Sequence, residues 1–172
     1  LVRLEIATDI TEKKHKEEAL KEMTEELNRF WNGSLDLLCI ADTDGFFRKL
    51  NPEWESALGY SLSELEGKRF LDFVHPDDLS STQKAVSTLD SQEAILNFVN
   101  RYRHKDGSYR WIEWRSFPFG KYIYASARDI SEYKRKEEEI TRSEERFRTL
   151  VNAIQETMSV IDRDGTFIYA NA

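Results

Sequence analysis

The sequence contains few of the side chains that metal sites and disulfides require. Its 172 residues include one cysteine, Cys39, and three histidines, at positions 15, 75 and 104. A single cysteine excludes an internal disulfide and fits a reducing compartment, so we expect a cytoplasmic location, with the full-length protein either free or membrane-associated. The histidines lie apart, in a charged helix, before a proline and beside a turn, so we expect no metal site and no catalytic group.

Long apolar runs and basic blocks are also missing. No run approaches the roughly 20 apolar residues that span a bilayer. The 25 Lys and Arg residues are outnumbered by 32 Asp and Glu residues, for a net charge of −7. We therefore expect no membrane segment in this chain and no nucleic-acid partner. With 40% hydrophobic and 12% aromatic residues, the chain can still form a real core.

What the sequence does contain is an internal repeat. Ala7–Glu12 and Ala127–Glu132 are nearly the same hexamer, 120 positions apart, and Asp42–Phe47 corresponds to Asp162–Phe167 at the same offset. A fixed period of this kind indicates repeated structural units. We therefore expect one complete unit, preceded by the end of one unit and followed by the start of another.

The second hexamer predicts a junction between a strand and a helix. The preceding stretch, residues 121–127, is aromatic and β-branched, as strands are. Asp129 suits a helix N-cap, and Glu132 completes the spacing of a capping box. We predict a signal-transmitting junction at both copies, although a well-capped helix without a signalling role is the alternative. Its residues are Asp9, Thr11, Glu12, Asp129, Ile130, Ser131 and Glu132, with Arg115 as the expected ionic partner of Asp129.

Two charged helices are predicted to flank the complete unit. Residues 1–9 are expected to be the last strand of a preceding unit, residues 10–31 a linker helix and residues 132–154 an exit helix. Each helix has one narrow apolar seam with heptad spacing, which is typical of a weak coiled coil. Since these seams leave apolar surface uncovered in a monomer, we expect a homodimer. The seams are formed by Leu20, Met23, Leu27 and Phe30, and by Tyr133, Ile140, Phe147 and Ile154.

Residues 32–131 are predicted to form the complete unit, and residues 155–172 the start of the next. The pattern indicates two strands, three short helices and then an antiparallel meander of three strands. The expected class is therefore α+β, with a five-stranded antiparallel sheet and short helices on one face. The predicted strands are Leu35–Ala41, Phe46–Leu50, Ala94–His104, Tyr109–Phe119 and Lys121–Ala127.

The order of these elements and several short motifs resemble a PAS domain with its C-terminal PAC half. The motifs are Ile40–Gly45, Asn51–Trp54, Leu58–Ser61, Phe73–Asp78, Arg101–Gly107, Trp111–Trp114 and Ala127–Ser131. The resemblance implies a non-enzymatic sensory or relay module that contacts adjacent PAS units and a downstream effector domain. Tandem arrays of this family usually precede a histidine kinase of a two-component phosphorelay. A cyclic-dinucleotide enzyme is the alternative effector.

The resemblance also implies a pocket between the short helices and the sheet. Such a pocket is either a small-ligand site or simply part of the core. Haem-binding members carry a histidine on the longest helix, and residues 77–90 contain none. Light-sensing members carry a Gly-x-Asn-Cys-Arg-Phe-Leu-Gln motif, which Gly67–Leu71 lacks. We therefore expect neither haem nor flavin, and an unknown small ligand remains open. The candidate lining residues are Trp54, Phe70, Phe73, Phe98, Ile123 and Ala125, with Asn97 or Arg101 for polar contacts.

Overall fold

The structure is a computed structural model, and it describes residues 2–153 and 159–170. The chain divides into two compact units, Leu1–Ile130 and Ser131–Ala172. The first unit contains a long helix and a five-stranded antiparallel sheet with shorter helices. The predicted α+β class and strand number are therefore confirmed. Within the described ranges, no helix is both long and apolar enough to cross a membrane.

The first unit begins with helix α1 and continues into the sheet domain. The strands lie in the order β2-β1-β5-β4-β3, so β5, the last strand in sequence, is the central strand and pairs with β1 on one side and β4 on the other. Two short 3₁₀ segments, Phe70–Phe73 and Pro76–Asp78, lead into α4. The elements are α1 (Val2–Gly33), β1 (Leu37–Asp42), β2 (Phe47–Leu50), α2 (Glu53–Leu58), α3 (Leu62–Leu65), α4 (Leu79–Asp90), β3 (Ile95–Arg103), β4 (Tyr109–Phe119) and β5 (Tyr122–Asp129).

Local sequence signals set several of these boundaries. Gly59 ends α2 in the left-handed region at φ 74°, and its N–H donates to the Glu55 carbonyl at 2.9 Å. Ser61 and Glu64 form the predicted capping box at the start of α3. At the β1–β2 turn, the Phe46 N–H donates to Asp42 Oδ1 at 2.9 Å. These contacts are within a few residues of each other in sequence, which is why the pattern predicts them.

A β-bulge in β3 determines which side chains reach the core. Asn97 is an extra residue between the pairs Leu96↔Arg115 and Phe98↔Trp114, and its φ is +60°. Asparagine tolerates this left-handed conformation better than most residues. The bulge brings both Ile95 and Phe98 to the face that α4 covers, although they are three residues apart.

The core lies between this face of the sheet and the short helices. Trp54 is fully buried, and its Nε1–H donates to the Leu38 carbonyl at 3.0 Å. Its ring lies 5.4 Å from that of Phe47, 6.3 Å from that of Tyr102 and 5.7 Å from that of Trp114. Aromatic groups of this size contribute much of the apolar area that a small domain can bury.

Two predictions at the amino-terminal side are wrong. Residues 2–9 belong to α1, so the described part of the expected strand at residues 1–9 is helical, and Asp9, Thr11 and Glu12 lie within a helix instead of at a junction. A strand needs neighbours for its backbone groups, whereas a helix satisfies its own. The first strand also starts at Leu37 instead of Leu35, whose side chain is exposed.

The second unit repeats the beginning of the first. It consists of α5 (Ser131–Asn152) and a hairpin of β6 (Ser159–Ile161) and β7 (Phe167–Ala170). At its turn the Thr166 N–H donates to Asp162 Oδ1 at 2.8 Å, the same contact that Phe46 makes with Asp42. The two turns therefore share a hydrogen bond at positions 120 residues apart. The predicted seam residue Ile154 lies outside the described residues.

Candidate functional site

A small, partly open cavity of about 60 Å³ lies between α4 and the inner face of the sheet. By volume it has room for a few water molecules. Apolar side chains form most of its wall, and a few buried polar groups interrupt them. The wall is formed by Cys39, Ala41, Phe47, Phe70, Thr82, Ala85, Val86, Leu89, Ile95, Phe98, Asn100, Tyr102, Trp114, Ser116, Ile123 and Ala125.

The residues that line the cavity recur every three or four positions on α4 and every second position on the strands. Thr82, Ala85, Val86 and Leu89 recur at the three- and four-residue spacing of one helical face, so α4 presents all four to the cavity. On the sheet, alternate residues of each strand point to the same face. The cavity is therefore the gap that remains where a helix packs on a twisted sheet.

A chain of hydrogen bonds connects the sheet to α4 beside the cavity. Trp114 Nε1–H donates to Asn100 Oδ1 at 2.7 Å, and Asn100 Nδ2–H donates to Thr82 Oγ1 at 3.1 Å. The Thr82 hydroxyl then donates to the Asp78 carbonyl at 2.7 Å. Asn100 and Thr82 are both buried. Because each of these buried polar groups has a partner, the chain stabilises one arrangement of α4 on the sheet.

The two ionisable groups of the cavity wall are held neutral. Burial raises the pKa of the Cys39 thiol to about 12. Burial, and then the nearby Cys39 group, raise the pKa of Tyr102 well above its usual value. A thiol with so high a pKa is a poor nucleophile and a poor metal ligand near neutral pH. The cavity can therefore offer a guest apolar contacts and neutral hydrogen-bonding groups.

The structure brings only some of the predicted pocket residues together. Phe70, Phe98, Ile123 and Ala125 line the cavity. Trp54 and Phe73 are buried in the aromatic core instead of in the cavity wall. The expectation for these two is thus wrong in detail, because their rings pack against Phe47 and fill the adjacent space.

The predicted polar contacts of the pocket are also wrong. Asn97 is the exposed bulge residue, and Arg101 lies opposite Trp111 on the other face of the sheet. The polar groups of the cavity come instead from Asn100, Tyr102, Ser116 and Thr82. The sequence carried a signal for the first two, because a period of two places Asn100 and Tyr102 on the face of Phe98.

Arg101 has a different partner, at the start of α4. Its Nη2 and Nε lie 2.7 and 2.9 Å from Asp78 Oδ1 and Oδ2, and its backbone N–H donates to Oδ2 at 2.8 Å. Its guanidinium lies 5.1 Å from the centre of the Trp111 ring. The hydrogen bonds from Arg101 hold the pKa of Asp78 below its usual value despite partial burial. This fork fastens α4 to β3.

The predicted strand-to-helix junction lies at the end of β5. This strand ends at Asp129, α5 begins at Ser131, and the intervening Ile130 N–H donates to the Trp111 carbonyl at 2.8 Å. Asp129 is opposite Ile112, whereas Arg115 is opposite Ser126. This register does not support the predicted Arg115–Asp129 ion pair, since residues three apart on a strand point to opposite faces, and the pair stays a prediction. The capping roles of Asp129 and Glu132 stay predictions.

The architecture and two family models agree. A model described as PAS fold matches residues 47–126, and one described as PAS domain matches residues 145–172. The chain contains a PAS domain. Similar crystal structures include the PAS domain of an HTR-like protein from Haloarcula marismortui. Its sequence is 27% identical, the TM-score is 0.61, and the matched region covers 68% of this chain and 99% of that one.

More distant structures share the PAS fold alone. A domain of a sensory box sensor histidine kinase/response regulator from Geobacter sulfurreducens is 18% identical, with a TM-score of 0.57, and covers 64% of this chain and 96% of that one. The RpfR quorum-sensing receptor PAS domain of Cronobacter turicensis, in complex with BDSF, is 18% identical with a TM-score of 0.51. This match covers 56% of this chain and 95% of that one.

Curated relatives are much longer than the PAS region. The uncharacterized protein y4lL of Sinorhizobium fredii is 27% identical over 153 residues, which are 86% of this chain and 18% of that protein. The aryl hydrocarbon receptor nuclear translocator homolog of Drosophila melanogaster is 30% identical over 77 residues, which are 44% of this chain and 12% of that protein. The chain thus spans less than a fifth of the length of either relative.

Proposed function

We propose that this PAS region is a dimerising relay module that passes conformational change from its sheet to α5. The observation that carries the proposal is the direct passage from β5 into α5, with only Ile130 between Asp129 and Ser131. A displacement of β5 therefore reaches the first turn of α5 without an intervening flexible loop. In this view the domain senses or relays, and it has no catalytic role of its own.

The exposed seams of the two long helices support the dimer. Leu20, Leu27 and Phe30 of α1 are each more than 60% exposed. Offset by 120 residues, Ile140, Phe147 and Leu150 of α5 are between 52% and 68% exposed. Each helix therefore offers a narrow apolar stripe of the kind that a second copy of the same helix would cover in a coiled coil.

Sedimentation equilibrium with a seam variant and its neighbour tests the dimer. Leu27→Lys places a charge on the seam, and Asn28→Lys adds the same charge at the next position, which is also exposed. We expect wild type and Asn28→Lys to dimerise in the micromolar range, and Leu27→Lys to dissociate at least about tenfold more readily, as a buried charge would require. A wild type that stays monomeric at high micromolar concentration would contradict the proposal.

The relay itself is tested at the junction in the full-length protein. Asp129→Ala should remove a capping interaction of about 1 kcal/mol, a small part of the roughly 5–15 kcal/mol that stabilises a domain. The fold should survive, while a fraying first turn of α5 should absorb the displacement. Output should then lose most of its dependence on the upstream signal. A variant with normal signalling would show that Asp129 is only a cap.

For the full-length protein we propose a sensor histidine kinase, with a cyclic-dinucleotide enzyme as the alternative. The support is limited to the tandem PAS arrangement and to the histidine kinase description of the Geobacter structure, which shares the fold. Autophosphorylation of the full-length protein with radiolabelled ATP tests the kinase. Cyclic-dinucleotide synthesis or hydrolysis in the same preparation would favour the alternative instead.

A second candidate function is sensing of a small ligand in the cavity. The observation that favours it is the cavity beside Asn100, Tyr102 and Ser116, which suits a small uncharged molecule with a hydrogen-bonding group. Native mass spectrometry of protein purified without added ligand tests it. A mass equal to that of the bare chain or its dimer would argue for a packed relay domain without an occupant.

A further inference from the structure

The hydrogen-bonded chain beside the cavity does not end at Asp78. The Asp78 carbonyl accepts from Thr82 on the cavity side, and its carboxylate accepts three N–H groups of Arg101 on the other side. One residue therefore contacts both the cavity wall and β3. It is half-buried, with 17% of its side chain exposed, so these contacts are partly shielded from water.

From Arg101 the contacts continue to the edge where α5 starts. The Arg101 guanidinium lies 5.1 Å from the Trp111 ring centre, and Arg101 and Trp111 are paired across β3 and β4. The Trp111 carbonyl accepts the Ile130 N–H at 2.8 Å. Ile130 is the residue directly before α5. The contacts thus run in an unbroken series from Thr82 to the end of the sheet.

We infer that Asp78 is a positioning residue that ties the cavity wall to the strand end from which α5 starts. Movement of α4, whether from a guest in the cavity or from a neighbouring domain, shifts the Asp78 carboxylate and with it the Arg101 side chain. Arg101 then moves Trp111, and the hydrogen bond to Ile130 changes with it. This inference rests on the proposed relay function and names the residues through which it would act.

Amide hydrogen exchange in the present chain tests the inference. Asp78→Asn removes the charge of the fork, and we expect exchange at Ile130 to become about tenfold faster, the scale of one hydrogen bond to a charged group. Exchange at Phe47, whose N–H donates to the Lys68 carbonyl, should stay unchanged. An equal acceleration at Ile130 and Phe47 would mean general destabilisation and would overturn the positioning role.

A matched control separates this effect from loss of any surface charge. Glu64→Gln makes the same change in net charge and breaks the Glu64–Lys105 ion pair, whose atoms lie 2.8 Å apart. A glutamine at this position keeps the capping box at the start of α3. We expect no acceleration at Ile130 in this variant. Acceleration similar to that of Asp78→Asn would overturn the inference.

Thr82→Val tests the cavity end of the chain. It removes the hydroxyl with little change in shape, and we expect exchange at Ile130 to rise at least about threefold in wild type but to change little in the Asp78→Asn background, as coupled residues behave in a double-mutant cycle. Additive effects would overturn the inference. If Asp78→Asn does not fold, Arg101→Lys serves in its place, because lysine keeps the charge and loses the fork.

The exchange measurements need neither a dimer nor a downstream output. A negative exchange result would overturn this inference without deciding the relay function, which the sedimentation and signalling tests address separately. Conversely, a monomeric chain with intact coupling from Thr82 to Ile130 would contradict the dimer and leave this inference standing.

Discussion

Filling the cavity with a larger side chain should stabilise the domain. The same substitution at two alanines of one strand, only one of which lines the cavity, tests this. Ala125 and Ala127 both lie in β5 on the inner face, and both are buried. Ala125 lines the cavity between Cys39 and Ser116, whereas Ala127 is packed between Leu37 and Trp114 and does not line it. The same change, alanine to valine, therefore adds two methyl groups either to empty space or to filled space.

The two variants should shift stability in opposite directions. Each buried methyl group contributes about 0.8 kcal/mol, so Ala125→Val can add up to about 1.6 kcal/mol if the cavity accepts it without strain. A realistic gain of about 1 kcal/mol raises Tm by about 4–8 °C for a domain near 100 residues. Ala127→Val has no space and should cost about 1–3 kcal/mol through overpacking.

Thermal and urea unfolding of both variants measure this difference. We expect Ala125→Val to unfold later than wild type and Ala127→Val earlier, with similar urea m-values. If Ala125→Val is destabilised as much as Ala127→Val, the space beside Ala125 is not available, and both the cavity and the ligand-sensing alternative lose their basis.

Three further outcomes are expected. Asn51 is fully buried, its Oδ1 accepts the Leu38 N–H at 2.9 Å and its Nδ2 donates to the Asp36 carbonyl at 3.0 Å. Asn51→Ala removes the side-chain acceptor of the Leu38 N–H and one of the donors to the Asp36 carbonyl, and it should cost about 2–4 kcal/mol in urea unfolding, while the exposed Asn32→Ala should be neutral. An equal effect of the two changes would contradict this account. Cys39, with its pKa raised to about 12, should react with a thiol reagent at pH 8 only after unfolding, and rapid modification of the native protein would show that the thiol is accessible. The lowered pKa of Asp78 stabilises the folded state above its unfolded pKa of about 3.9, so the stability difference between wild type and Asp78→Asn should be constant from pH 5 to 8 and shrink as the pH falls below about 4; a difference that grows on acidification would refute the sign.

Several features of this protein follow from short stretches of sequence alone. The hairpin at Asp42, the cap at Gly59 and the box at Ser61 each depend on contacts within about four residues. Strand β4 has the bounds predicted from the sequence, Tyr109–Phe119, because turn signals at residues 105–108 and at Gly120 delimit an aromatic and β-branched stretch. The 120-residue repeat is likewise visible in the sequence, and the turns at Asp42 and Asp162 share a hydrogen bond from the N–H four residues further on to the Asp carboxylate.

The cavity and its polar chain depended on tertiary structure. Asn100 lies 18 residues after Thr82 in sequence, and only the packing of α4 on β3 brings the two side chains together. The bulge at Asn97 changes which residues of β3 face inward, and no local signal located that extra residue. Arg115 was assigned to Asp129 without the register of β4 and β5, which places Ile112 there.

The same distinction explains the error at the amino-terminal repeat. The hexamers Ala7–Glu12 and Ala127–Glu132 are nearly identical in sequence, yet the first lies in a helix and the second spans the end of a strand. Residues 122–129 have β1 and β4 as hydrogen-bonding neighbours, whereas no strand of the described sheet pairs with residues 2–9. A strand forms only where neighbouring strands pair with its backbone N–H and C=O groups. The hexamer sequence is therefore compatible with a strand-to-helix junction, and the tertiary structure decides at which copy the junction forms.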